Sequence, residues 1–381
     1  MDNLAHSLVG LAAAKAGLEK LSPGATAVCI LSANVPDIDF IAAFSGDRWT
    51  VLHYHRGLTH SIVGTIMLGL IVPSIFYSIG LLISKIRGHA SSMKFRGLVA
   101  ASLITAATHP ILDWTNSYGV RPLLPWSGRW FYGDFVFVVD PMIWIILGLG
   151  TFWLASRSKA LLVFWILLAL VLSSLTVYSI TSGRGVDHPV VVAVMWTLCL
   201  LVFAWGRKAN LGKRFGSRLA IASLLLLLAY WGSLSLLHVR AMSRANDEMA
   251  RLVSENGEQV ILLAATPVVV NPFRWRCLAE TNRGVYRFDV LLGDPGVTKL
   301  VRFEKLGPAD AEILAEAREN QKVQAFFEFA RFPVARVSGT DCTSQTLVQL
   351  ADLRYTEPGL TRGSFALELP VDCPAGNKHG R

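Results

Sequence analysis

Apolar residues fill the first 238 positions in long runs that polar residues rarely interrupt. Six of these runs approach the ~20 residues that a helix needs to cross a bilayer. They cover residues 62–83, 98–112, 135–155, 160–181, 189–205 and 219–238. Two earlier segments, 3–18 and 24–35, are too short to span alone, and we expect them to pair as a helical hairpin. The pattern predicts a mainly α-helical, polytopic membrane helix bundle.

From residue 239 onward the pattern becomes that of a soluble α+β domain. Residues 308–329 have the spacing of an amphipathic helix that begins at a proline, and the other apolar segments are short enough to be strands. Strands are expected at residues 260–270, 285–292, 298–303, 333–338, 346–353 and 364–369. We therefore predict two domains, a membrane-embedded domain over 1–238 and a soluble α+β domain over 239–381.

Composition agrees with a membrane protein, since 52% of the residues are hydrophobic and 17% are charged. The net charge of +9 comes from residues 1–238, which contain 18 Lys and Arg but only 9 Asp and Glu. Residues 239–381 contain 18 basic and 18 acidic residues. This balance argues against a nucleic-acid-binding protein. The basic residues gather in the loops 84–97, 156–159 and 206–218, which the positive-inside rule assigns to the cytoplasm. The C-terminal domain is then expected outside the cytoplasm.

Candidate metal-binding residues are most concentrated in the stretch His53-Tyr-His-Arg-Gly-Leu-Thr-His60, which holds three of the nine histidines. Neutral imidazole is the commonest protein ligand of transition metals, so this density favours metal binding over packing. Imidazoles and short carboxylates elsewhere could complete a site. The candidate metal ligands are His6, Asp37, His55, His60, His109 and Asp113.

Each of these features also has a plainer interpretation. His109 and Asp113 stand at i and i+4 on one helical face, where they could bind one cation or merely hydrogen-bond to each other. The Asp37-Ile-Asp39 sequence could bind an ion, but by itself it is more typical of a helix cap or turn. Arg56 could be an interfacial cation, or it could take up developing negative charge. Asp140 could support the site or form a salt bridge with Arg129.

The predicted topology brings the candidate residues to the same membrane face, although charge counting did not use them. Ionisable groups inside a membrane are costly and tend to be functional, which favours ligation over simple pairing. We accordingly expect His60 and Asp113, at the ends of adjacent spans, to lie close enough to share one metal.

The same residues carry a resemblance to a known family. The series Asp2-Asn-Leu-Ala-His-Ser-Leu-Val-Gly10, Pro36-Asp-Ile-Asp39, His55-Arg-Gly-Leu-Thr-His-Ser61, His109-Pro-Ile-Leu-Asp113 and Tyr132-Gly-Asp134 with Asp140-Pro141 resembles the motifs of the YdjM-like family of bacterial inner-membrane proteins. The resemblance implies a multi-pass inner-membrane protein and a metal-dependent hydrolase of undefined substrate. A looser similarity links the His and Asp series to zinc-dependent phospholipase C.

The first functional hypothesis is a membrane-bound hydrolase with a divalent metal, for which mixed imidazole and carboxylate ligands favour zinc. Its substrate would be an interfacial or lipid-borne ester or phosphoester, and amide cleavage stays open. In this hypothesis Asp39 orients or deprotonates water, Arg56 takes developing charge, and Asp140 supports the ligands. The alternative is a non-catalytic metal-binding membrane protein whose C-terminal domain binds a partner. A transporter is third, because the acids gather at one face rather than the midplane.

The cysteines favour one disulfide at most. There is no CxxC pair, which argues against a thiolate zinc site. Cys277 lies in an apolar strand, whereas Cys342 and Cys373 lie in turn-rich sequence. If the C-terminal domain is exported, we expect a bond between Cys342 and Cys373.

Overall fold

The structure is a computed structural model that describes residues 1–44, 46–156, 158–182, 188–339, 346–360 and 365–371. Helices make up most of the chain before residue 257, and two small antiparallel sheets with two helices follow. The predicted fold class, a membrane helix bundle with a C-terminal α+β region, is therefore confirmed.

Several helices of the first part of the chain begin at a residue whose side chain caps the helix N-terminus. Asp2 accepts a hydrogen bond from the Ala5 amide, Ser61 accepts one from Gly64, and Asp140 accepts one from Met142. The helices are α1 (Asn3–Ala16), α2 (Ala25–Asn34), α3 (Arg48–Tyr54), α4 (Ile62–Ile86), α5 (Phe95–Trp114), α6 (Pro141–Ala155), α7 (Lys159–Thr181), α8 (Pro189–Lys208), α9 (Leu211–Phe215) and α10 (Ser217–Asn256). Short 3₁₀ segments cover Leu18–Leu21, Val35–Phe44 and Leu58–His60.

Six helical segments within the described residues are long and apolar enough to cross a membrane. They are Ala25–Phe44, Ile62–Ile86, Phe95–Trp114, Lys159–Thr181, Pro189–Lys208 and Ser217–Ser254. Two differences from the sequence prediction stand out. The 3₁₀ segment after α2 extends 24–35 into a potential span, whereas the run 135–155 yields only the shorter α6, because Asp140 and Pro141 begin the helix late.

The first of two compact units comprises Met1–Ile38, Arg56–Leu236 and Val268–Pro272. In this unit α5 packs against α1, α2 and α4. Small residues let the helices approach: a Cβ at Gly10 of α1 would lie 2.6 Å from the Cys29 carbonyl oxygen of α2. Between α2 and α5, the hydroxyls of Ser32 and Ser102 are 2.7 Å apart. Such hydrogen bonds between helices satisfy polar groups inside the bundle.

The second unit comprises Asp39–His55, Leu237–Pro267 and Phe273–Arg381. One sheet has the order β1 (Val260–Val268), β2 (Asn271–Thr281), β3 (Gly284–Leu291) and β4 (Thr298–Glu304). The other has the order β5 (Pro333–Ser338), β6 (Thr346–Asp352) and β7 (Ala366–Val371). The predicted helix over 308–329 is two helices, α11 (Pro308–Ala317) and α12 (Gln321–Phe329), because Asn320 caps the second one. The sequence predicted a strand around Cys277, and the structure shows it as β2, which runs from Asn271 to Thr281.

Helix α3 packs within the second unit, against α12. The Trp49 ring meets Phe326 edge-on, with the ring centroids 6.4 Å apart. Two polar contacts flank this pair: Lys322 lies 3.1 Å from Asp47, and His53 lies 2.8 Å from Glu328. The segment Asp39–His55 thus joins the C-terminal unit although it precedes α4 in the chain.

Candidate metal site

Four side chains from three parts of the first unit converge at the ends of its helices. Asp37 stands in the 3₁₀ segment after α2, His60 lies just before α4, and His109 and Asp113 lie in the last turns of α5. One ligand atom from each residue lies within 4.8 Å of all the others. His60 and His109 are fully buried and Asp113 is 1% exposed, while Asp37 is partly buried.

The separations between these atoms fit a metal ion. His60 Nε2 lies 3.4 Å from Asp37 Oδ1 and 3.3 Å from Asp113 Oδ2. His109 Nε2 lies 3.5 Å and 3.4 Å from the same two oxygens, and 3.1 Å from His60 Nε2. Ligands ~2.0–2.1 Å from a tetrahedral zinc ion are themselves about 3.3 Å apart. The predicted approach of His60 and Asp113 is confirmed.

Hydrogen bonds on the far side of the rings orient both imidazoles. His109 Nδ1 lies 2.7 Å from the Ala33 carbonyl oxygen, which can only accept, so Nδ1 carries the hydrogen. Its Nε2 then presents a lone pair to the cluster. His60 Nδ1 is 3.0 Å from the Thr59 hydroxyl, which can hold that ring in the same way. Partners of this kind are typical around metal-ligating histidines.

The second oxygen of Asp113 faces positive charge. Arg56 Nη2 lies 3.0 Å from Asp113 Oδ1, and the Met1 amino group also contacts this oxygen. Arg56 donates further hydrogen bonds to Asn116 Oδ1 at 3.0 Å and to the Gly119 carbonyl at 3.1 Å. Its guanidinium carbon lies 4.5 Å from the Tyr118 ring centre. Arg56, 3% exposed and with a left-handed backbone (φ 55°), therefore fixes the carboxylate of Asp113.

His6 lies beside the four-residue group rather than in it. Its ring stacks on His109 with the centroids 3.7 Å apart, and its Nε2 is 3.4 Å from Asp113 Oδ1. Burial, reinforced by the neighbouring His109, lowers the pKa of His6 to about 3, so its ring is neutral at physiological pH. Neither ring nitrogen has a hydrogen-bond partner within the described part of the chain. A buried imidazole in this state suits a further ligand, and its predicted metal role stays a prediction.

Two other predicted site residues, Asp39 and His55, pair with each other in the second unit. His55 Nδ1 lies 3.1 Å from Asp39 Oδ1, and the Phe40 ring packs on His55 with the centroids 4.3 Å apart. The structure therefore assigns Asp37 and Asp39, two positions apart, to different units. The predicted ligand role of His55 and the predicted water-orienting role of Asp39 stay predictions.

Asp140 is engaged at the start of α6. One carboxylate oxygen caps the helix through the Met142 amide at 2.9 Å, and the other accepts a hydrogen bond from the Tyr230 hydroxyl at 2.9 Å. Burial raises the pKa of Asp140. These contacts link α6 to α10, and a direct contact with Asp37, His60, His109 or Asp113 is not among them.

Sequence reasoning missed the groups that orient the ligands. The carbonyl of Ala33 gives no sequence signal, because any residue offers the same acceptor. Asn116 lies three residues after Asp113, just past the end of α5, and its side-chain oxygen accepts a hydrogen bond from Arg56. Sequence reasoning also missed Thr65, the fourth residue of α4, whose buried hydroxyl has no hydrogen-bond partner in the described chain.

The three described cysteines play no part in this cluster. Cys29, Cys199 and Cys277 are free thiols, and burial raises the pKa of Cys277 above its usual range. Cys277 is fully buried in β2, as expected for a small core residue. The predicted pair, Cys342 and Cys373, lies outside the described residues.

Two sequence comparisons bear on the resemblance. YfhP, an uncharacterized protein of Bacillus subtilis (strain 168), is 27% identical over 172 residues, which are 42% of this chain and 49% of the relative. The chain thus spans about half the length of that relative. No solved structure matches. The resemblance drawn from the His and Asp motifs is confirmed, because residues 1–181, which contain the whole four-residue cluster, match the YdjM inner membrane protein family.

Proposed function

We propose that this protein is a membrane-bound, metal-dependent hydrolase acting on an interfacial or lipid-borne ester or phosphoester. The observation that carries the proposal is the set of mutual distances among the Nε2 atoms of His60 and His109 and the carboxylates of Asp37 and Asp113. Two imidazole nitrogens and two carboxylates facing one another at 3.1–3.5 Å need a cation or shared protons between them. Their mixed chemistry and spacing favour zinc.

Asp37, His60, His109 and Asp113 would hold the ion, with His6 as a further ligand. A divalent cation there would supply a Lewis acid that lowers the pKa of water and polarises an ester. The protein contributes orientation: Ala33 fixes the ring of His109, and Arg56 fixes the carboxylate of Asp113. Arg56 is already bonded to Asp113, so we assign it the role of positioning that carboxylate rather than that of binding developing negative charge.

Charge at the opposite end of the bundle supports an outward-facing site. Helix α4 ends, and α5 begins, near Lys85, Arg87, Lys94 and Arg96. The ligands lie at the other ends of these two helices. The positive-inside rule favours the basic ends in the cytoplasm. We propose a multi-pass inner-membrane protein with the site and the C-terminal domain on the outer face of that membrane.

The first test measures metal in the full-length protein after purification in detergent. We expect about one divalent ion per chain, as in a mononuclear zinc site, and its loss to background in His109→Ala. The matched control is His89→Ala, because His89 is exposed in the loop before α5. Metal-free wild-type protein, or equal metal loss in both variants, would contradict the metal site.

A second measurement separates catalysis from a structural metal. Metal-loaded protein is incubated with phospholipids in mixed micelles, and released fatty acid and phosphate esters are measured. The proposal expects product from wild type and His89→Ala but not from His109→Ala. If loaded wild type releases nothing while chelation lowers its thermal unfolding temperature, the metal is structural, as a closed ligand set would suggest.

A further inference from the structure

An apolar cleft between α4 and α5 reaches the metal cluster. Its volume is about 450 Å³, within the range of small-molecule sites. Ile62, Thr65 and Ile66 of α4 form one wall, and Ala107, Pro110, Ile111 and Trp114 of α5 form the other. His60, one of the four candidate ligands, lines the same cleft. An apolar space thus ends at a metal-ligating group.

The two helices are in close contact on one side of the cleft, one turn further from the cluster. A Cβ added at Gly69 of α4 would lie 2.8 Å from the Leu103 side chain of α5. Nearer the cluster, half-exposed side chains border the cleft: Ile66 is 50% exposed and Ile111 is 51% exposed. Both helices are candidate spans, so these side chains face hydrocarbon in a bilayer. The cleft is therefore open to the side, toward lipid tails.

A loop covers the cleft at the end near the cluster. Val120 and Phe131 exchange two backbone hydrogen bonds, of 3.0 Å and 2.9 Å, and both line the cleft. The Ile62 amide donates to the Pro122 carbonyl at 3.0 Å, which ties this loop to the start of α4. Backbone hydrogen bonds therefore hold this covering loop in place.

The cleft contains one buried hydroxyl, that of Thr65, which forms no hydrogen bond within the described part of the protein. Thr65 is 7% exposed, it lines the cleft, and its hydroxyl has no hydrogen-bond partner among the described residues. An unpaired buried hydroxyl costs free energy unless a ligand or water pairs with it. Thr65 lies in the α4 wall, five residues after His60, and the ester of a bound lipid would lie near these two side chains.

We propose that this cleft binds a hydrocarbon chain of a membrane lipid that enters sideways from the bilayer, with its ester group near His60 and Thr65. The inference rests on the proposed function and names its substrate class as acyl-chain lipids of the surrounding membrane. The apolar walls, the lateral opening and the single unpaired hydroxyl at the polar end all fit such an amphiphile.

The test places wild-type protein in phosphatidylethanolamine and phosphatidylglycerol vesicles that contain a phosphatidylglycerol with a photoreactive diazirine in its acyl chain. After irradiation, labelled peptides are mapped by mass spectrometry. We expect label concentrated on the walls formed by α4 and α5. Ala107→Phe should fill the cleft and lower this labelling about tenfold, equal to ~1.4 kcal/mol of binding.

Ala100→Phe is the matched control. It makes the same change two turns away on the exposed side of α5, outside the cleft, and should leave labelling unchanged. Thr65→Val keeps the shape of the side chain and should lower labelling severalfold. Metal content should stay at the wild-type level in all three variants, since none of them is a ligand. Equal labelling of α4, α5, α7 and α8, or equal loss in Ala107→Phe and Ala100→Phe, would overturn the inference.

The two proposals fail in different ways. Labelled cleft walls without ester hydrolysis would refute the hydrolase and keep the lipid site. Hydrolysis of lipid esters by metal-loaded protein with unlabelled walls would keep the hydrolase and refute the cleft as its chain-binding site.

Discussion

Helices α5 and α7 are both long enough to span a membrane, yet they are built for different surroundings. Helix α5 buries eight residues, four of them polar. Among the described side chains of α7, Trp165 is the one that is buried. The reason is packing: α5 contacts α1, α2 and α4, whereas α7 faces outward along most of its length.

The difference shows where this protein can keep ionisable groups. A carboxylate or imidazole on a lipid-facing helix has no partner in hydrocarbon, so it costs several kcal/mol. On α5, His109 and Asp113 find acceptors, cations and candidate co-ligands from three neighbouring segments. The comparison therefore predicts large effects on α5 and small effects on α7 from chemically matched changes.

The largest effect is expected from Asp113→Ala. It removes a ligand and leaves the buried Arg56 charge without this carboxylate, which costs about 3–5 kcal/mol for a buried pair. Thermal unfolding in detergent and metal analysis should both show the loss. The double variant Arg56→Met with Asp113→Leu should recover part of the stability but no metal, and recovery of metal would contradict the assigned ligand.

A large effect is also expected from Leu98→Ala on α5, compared with Leu170→Ala on α7. Leu98 is fully buried in the α1–α2–α5 core, so its truncation leaves a cavity costing about 2 kcal/mol or more. Leu170 is 59% exposed, and its truncation should cost less than ~0.5 kcal/mol. Denaturant unfolding of both variants tests this, and equal losses would show that α7 packs as tightly as α5.

An intermediate effect is expected from Gly64→Ala at the start of α4. A Cβ there would overlap the Leu58 carbonyl oxygen, in the 3₁₀ turn that carries His60. Overpacking of this kind costs about 1–3 kcal/mol and should also weaken metal binding. Gly232→Ala on α10, where a Cβ meets open space, is the control and should lower neither the unfolding temperature nor the metal content.

The smallest effect separates two serines. Ser102→Ala on α5 removes the hydrogen bond to Ser32 and leaves a buried hydroxyl unpaired, for a loss of about 1 kcal/mol. Ser174 on α7 bonds only to the Leu170 carbonyl of its own helix in the described contacts, so Ser174→Ala should be nearly neutral. Unfolding temperatures of the two variants decide the point, and a greater loss from Ser174→Ala would reverse the comparison.

The membrane class, the C-terminal α+β region and most of the candidate metal cluster could be predicted from the sequence. Long apolar runs can satisfy their backbone in lipid only as helices, and histidines with short carboxylates at span ends have few other uses. His60, His109 and Asp113 could be predicted to meet because each marks the same end of a span. Strands with alternating burial, such as β6, were also predictable from local pattern.

How near neighbours in the chain are divided between the two units could not be predicted, because it depends on packing between distant segments. Asp37 lies in the four-residue group of the first unit, whereas Asp39 pairs with His55 in the second unit. The cleft between α4 and α5 could not be predicted from the sequence either, because Ile66 and Ile111 are typical apolar residues of a membrane span. Periodicity reports which residues avoid water, but contacts between distant segments determine what they enclose.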